Sequence, residues 1–141
     1  MSGPLQRPKV ASSKLVSADL NEPVVVDGLA ALDLAAPQDA TAAAVYDRPI
    51  GIRLLFDDPS SGEEHYLVRY PQGVRGRAHR HSAAHTMVVL EGRLDIGSRV
   101  VGPGSYVHFP GQTSMRHQAT ADGPCLFVLI FHGPFDVEIV D

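Results

Sequence analysis

Three histidines, His79, His81 and His85, fall at spacings of two and four inside the segment running from Gly73 to Gly92. Neutral imidazole is the commonest metal-binding side chain. Residues i and i+2 of an extended strand face the same side, so His79 and His81 point to one place if the segment is a strand. A tight turn at Ser82-Ala83-Ala84 would return His85 to that place from the next strand. The spacing therefore predicts a metal site built within one hairpin.

The elements around it read as short strands. Ile50 to Phe56 is followed by the turn cluster Asp57-Asp-Pro-Ser-Ser-Gly62, and His65 to Tyr70 is closed by Pro71-Gln-Gly73. Thr86 to Leu90, Arg93 to Ile96, Ser105 to Pro110, Cys125 to Phe131 and Asp136 to Val140 come next, separated by glycine- or proline-bearing turns. Strands of this length, about ten residues apart, predict an all-β sandwich or barrel. Upstream, Val24-Val25-Val26 predicts a first strand from Pro23 to Asp27. The alanine-rich stretch from Leu29 to Thr41, broken at Pro37, permits a short helix. Residues 1–20 are expected to be a flexible N-terminal segment, and 21–141 a single domain.

Composition narrows the function. The chain has 141 residues, one cysteine and a net charge of −4. Both lysines lie in the first 14 residues and the ten arginines are dispersed, so no basic face for nucleic acid is expected. Cys125 excludes an intramolecular disulfide and a thiolate zinc cluster, and reads as an inert core thiol. No apolar run approaches the ~18 residues of a membrane span, and the first ten residues lack the apolar core of a signal peptide. The expectation is a soluble, cytoplasmic protein acting on a small molecule.

Gly73, His79-x-His81, His85 and Gly92 together resemble the first motif of the cupin superfamily, in which glutamate usually stands where His85 is. Gly104, Pro110 and His117 resemble the second motif, with two extra residues between proline and histidine. The likeness runs over residues 50–140, with its motif core at 73–117. It implies a cupin-type jelly-roll barrel with little helix, and a divalent ion held by His79, His81, His85 and His117. Zinc is the preferred ion, with iron or nickel compatible with the same donors. Four neutral imidazoles would leave the ion its full +2 charge, a stronger Lewis acid than a glutamate-bearing site provides.

This pattern resembles the zinc-dependent cupin polyketide cyclases of antibiotic biosynthesis, implying aldol-type ring closure of an aromatic polyketide intermediate. A second expectation is an Fe(II)-dependent dioxygenase of the three-histidine cupin type. A third is a non-catalytic cupin that binds a small ligand or metal. Sensor cupins usually carry a helical DNA- or sigma-factor-binding domain, which this sequence does not suggest.

No general acid or base is assigned; Tyr66 and Tyr70 are candidate proton donors to a bound oxygen, with their strand parity left open by a bend at Pro71 and Gly73. Glu91 sits in the turn before Gly92 and is expected to be solvated. Met87, Val89, Phe109, Phe127 and Phe131 fit either a pocket lining or an ordinary core. His65, His108 and His132 read as structural or exposed. A homodimer paired through the Pro23–Asp27 edge is expected, because pairing protects an open strand edge.

Overall fold

In the computed structural model, residues 21–37 and 40–140 are described; the N-terminal segment 1–20 lies outside them. Ten strands are present among those residues: β1 (Gly51–Asp58), β2 (Glu63–Tyr70), β3 (His79–Arg80), β4 (His85–Glu91), β5 (Leu94–Asp95), β6 (Val100–Val101), β7 (Tyr106–Phe109), β8 (Gln118–Ala119), β9 (Cys125–Phe131) and β10 (Glu138–Ile139). A five-stranded antiparallel sheet runs β1-β2-β9-β4-β7, faced by the small sheets β10-β3 and β6-β5-β8. This is the all-β architecture that the strand spacing implied, in the jelly-roll form that the cupin resemblance implied.

The central strand explains the division into two faces. β9 is apolar throughout because it is covered on both sides. Cys125, Phe127, Leu129 and Phe131 enter the main core, whereas Leu126 joins Leu55 and Leu67 in a cluster on the outer face. β2 shows the same alternation. Tyr66, Val68 and Tyr70 point inward and Leu67 outward, which settles the direction of both tyrosines.

Two local expectations change. Pro23–Asp27 forms no strand. It belongs to a strap that lays Val26, Leu29, Leu32 and Leu34 over the outer-face cluster, while Val25 is 75% exposed. Its backbone pairs with β1 at one bridge, between Ala35 and Ile52. The alanine-rich stretch yields one 3-10 turn at Leu29–Ala31, and the helix α1 (Ala40–Val45) forms only after Pro37. Proline disfavours helical backbone in the residue before it, which separates the two.

The hairpin is also replaced. β3 and β4 are not paired with each other; β3 pairs with β10 and β4 with β7 and β9. The turn at 82–84 therefore carries the chain from one sheet to the facing one. The parity argument still holds locally, since His79 and His81 are buried and Arg80 between them is exposed.

Candidate metal centre

The site sits where the two layers meet. His79 and His81 come from β3 and its end. His85 begins β4 in the facing sheet, and His117 immediately precedes β8. The segment from Pro110 to His117 takes up its two extra residues in a turn that clamps onto β3. Gln112 N–H donates to the His81 carbonyl at 2.7 Å, and His79 and Met115 exchange backbone bonds at 2.9 and 2.8 Å. That bridge brings His117, two residues beyond Met115, alongside His79.

His79, His81 and His117 each offer a ring nitrogen within 4.8 Å of the other two. His79 Nδ1 donates to the Arg77 carbonyl at 2.7 Å, and His81 Nδ1 donates to the Asp136 carbonyl at 2.5 Å. A carbonyl can only accept, so in the neutral ring both Nδ1 atoms carry the proton and each Nε2 holds the lone pair that would ligate. His117 Nδ1 lies 2.6 Å from the Tyr70 hydroxyl, and its Nε2 is buried without a hydrogen-bond partner. This donor set fits a divalent ion.

His85 stands beside the three. Its ring centroid is 4.8 Å from that of His81 and 5.7 Å from that of His117, and it stacks on Phe109. It does not belong to the mutually close group, yet both of its ring nitrogens are buried with no hydrogen-bond partner. Burial, followed by the neighbouring histidines, lowers its pKa to about 2. The same causes hold His117 well below the ordinary histidine range. Both rings are therefore neutral near pH 7, the form that binds metal.

A cavity of about 60 Å³ opens onto His79, His81 and His117. Its walls are mostly apolar: Thr41, Ala42 and Val45 of α1 close one side, and Ile52, Leu129, Phe131 and Phe135 lie among the residues opposite. Of the apolar residues singled out in the sequence, Phe131 lines this space, while Met87, Val89, Phe109 and Phe127 belong to the core. Tyr70 lines the cavity and lies against His117; Tyr66 is a core residue. His65 pairs with Glu63, and the exposed rings of His108 and His132 flank the Thr86 hydroxyl at 2.9 and 2.8 Å. These three lie outside the cavity lining, as does the exposed Glu91.

Sequence reasoning missed Tyr46 and Asp136. The Tyr46 hydroxyl bonds that of Tyr70 and lies 3.3 Å from His117 Nδ1. Asp136 orients His81 through its carbonyl, while its carboxylate accepts from the Ser82 N–H and hydroxyl at 2.7 and 2.5 Å. Both contacts depend on long-range packing that neither local sequence announces.

A family model described as the ChrR cupin-like domain matches residues 33–136. The chain belongs to this cupin-like family. Solved cupins agree in fold. A protein from Methylibium petroleiphilum proposed to be an acetylacetone dioxygenase aligns with a TM-score of 0.68 at 18% identity, over 89% of this chain and 85% of its own. A cupin-like protein from Thermotoga maritima aligns at 0.60 and 19% identity, over 70% and 80%. The polyketide cyclase RemF from Streptomyces resistomycificus aligns at 0.57 and 21% identity, over 65% and 71%. A search of curated proteins finds no match. Among the described residues of this cupin, no helix is long and apolar enough to cross a membrane.

Proposed function

We propose that this cupin is a metal-dependent enzyme that activates the carbonyl group of a small, largely apolar organic substrate. The observation that carries the reading is the convergence of three buried imidazoles at the wall of an apolar cavity. His85 completes the ligand set in this reading, because a buried imidazole with both nitrogens unpartnered calls for a partner. A bound divalent ion would supply Lewis-acid polarisation of the substrate oxygen and so favour the enolate. The residues do the rest. The Arg77 and Asp136 carbonyls fix two ligands in the ligating tautomer, and α1 with Phe131 and Phe135 keeps water from the reacting carbon.

Ring closure of an aromatic polyketide intermediate after enolisation, with zinc as the ion, is the first reading of the reaction. A specific observation favours the second, iron- and dioxygen-dependent cleavage of a short 1,3-diketone. The cavity of about 60 Å³ holds only about four to six water-sized occupants, which suits a short diketone better than a polyketide. We further infer a cytoplasmic homodimer. Since Pro23–Asp27 is a strap, the contact would fall on β7, an edge strand of the large sheet, where Tyr106 is 69% exposed.

The test is α-proton exchange of short ketones in D2O, monitored by NMR, with the zinc-loaded protein, together with oxygen uptake by the iron-loaded protein on 1,3-diketones. Faster exchange that His81→Ala abolishes supports carbonyl activation, and oxygen uptake assigns the oxidative branch. Neither exchange nor uptake with any substrate overturns the enzyme reading in favour of a binding module.

A further inference from the structure

The three close histidines are not held alike. Two are backed by main-chain carbonyls, which cannot change their hydrogen-bonding role. The third, His117, is backed by a phenol. Tyr70 is 1% exposed, and its hydroxyl lies 2.6 Å from His117 Nδ1. The hydroxyl of Tyr46, a cavity-lining residue, bonds that of Tyr70 in turn. A hydroxyl can donate or accept, so this arm alone among the three has a reversible hydrogen-bond direction.

We propose that Tyr70 and Tyr46 are positioning residues that hold His117 in its ligating tautomer and link that ligand to the cavity wall. With His117 Nε2 on an ion, Nδ1 keeps its proton and donates it to the Tyr70 oxygen. The Tyr70 hydroxyl then donates to the Tyr46 oxygen. With the His117 proton on Nε2 instead, the first bond reverses, and Tyr70 donates to Nδ1. Metal binding thus selects one direction of a two-tyrosine chain that ends where the substrate would lie.

The local structure is shaped to bring these groups together. Tyr46 comes directly after α1 and bridges to Gly76. A Cβ at Gly76 would come within 2.6 Å of the His117 carbonyl oxygen and 3.3 Å of the Tyr46 ring. Glycine there lets the Tyr46 ring and the His117 backbone pack against the same segment. The Tyr46 and Tyr70 rings tilt at 52° with centroids 5.0 Å apart, which sets the two hydroxyls side by side.

This inference rests on His117 being a metal ligand, so the experiment reads metal binding rather than turnover. Cobalt(II) is titrated into metal-free wild type, Tyr70→Phe and Tyr46→Phe, and the visible cobalt absorption is recorded. The melting temperature of each metal-free protein serves as the folding control. Tyr70→Phe should weaken cobalt about 10- to 100-fold, the range for losing a hydrogen bond behind a ligand, and shift the absorption bands. Tyr46→Phe, one bond further away, should shift affinity less while leaving the melting temperature near wild type. Wild-type absorption with unchanged affinity and bands in both variants overturns the positioning role while the metal centre stands. Absence of cobalt binding by wild type overturns the metal centre and this role with it.

Discussion

At the scale of single residues, the site is governed by what each imidazole nitrogen touches. His81 is fixed by the Asp136 carbonyl and presents its other nitrogen to the shared point. His81→Ala should therefore weaken metal binding beyond the roughly 10–100-fold expected for losing a supporting hydrogen bond, with the β signal in circular dichroism retained. The neutral state of His85 and His117 has a pH consequence. Both have folded-state pKa values below the unfolded value of ~6.5, so the unfolded chain binds the extra protons. Their contribution to stability is full above that pH and is lost progressively as pH falls towards the folded values. Each such proton costs about 1.4 kcal/mol per pH unit in that window. Melting curves of the metal-free protein should shift down by several degrees between about pH 6.5 and 5; a flat profile would show that these rings are not buried neutral. The i, i+2 spacing made His79 and His81 legible in the sequence. The carbonyls behind them and the phenol behind His117 were not, because Arg77, Asp136 and Tyr70 reach the rings through folded geometry.

At the scale of elements, strand positions were legible wherever apolar residues alternated or ran continuously between turn formers. Cys125 to Phe131 forms β9 with the boundaries expected from sequence. Pairing was harder to read. The 79–85 segment resembles a hairpin because its turn is short, but whether the chain folds back or crosses to the facing sheet is decided by β9 and β10 far downstream. The valine run at 24–26 carries a strand signal, yet it lies in a strap in which Val26 packs on the outer face and Val25 is exposed. Turn glycines are less ambiguous. Gly92 has φ of 76°, and a Cβ there would lie 2.0 Å from the Pro124 carbonyl oxygen. Gly92→Ala should destabilise the fold by about 3 kcal/mol or more, combining left-handed strain with a backbone clash. Denaturant unfolding checks this, and a loss under ~1 kcal/mol would mean that the β4–β5 turn can rearrange.

For the whole molecule, two layers meet at one end around a small apolar chamber lined by His79, His81 and His117, with His85 of the large sheet beside them. The family and the jelly-roll fold rest on the chain's match and its solved neighbours. What the chamber does turns on whether its histidines hold an ion, and on which one. The most direct measurement is elemental analysis of protein purified without added metal, repeated after metal removal and reloading, for wild type and His81→Ala. A histidine metal centre predicts close to one zinc or iron per wild-type chain, restored on reloading, and little in the variant. Wild type that neither carries nor takes up a divalent ion, or a variant that retains full occupancy, would contradict it.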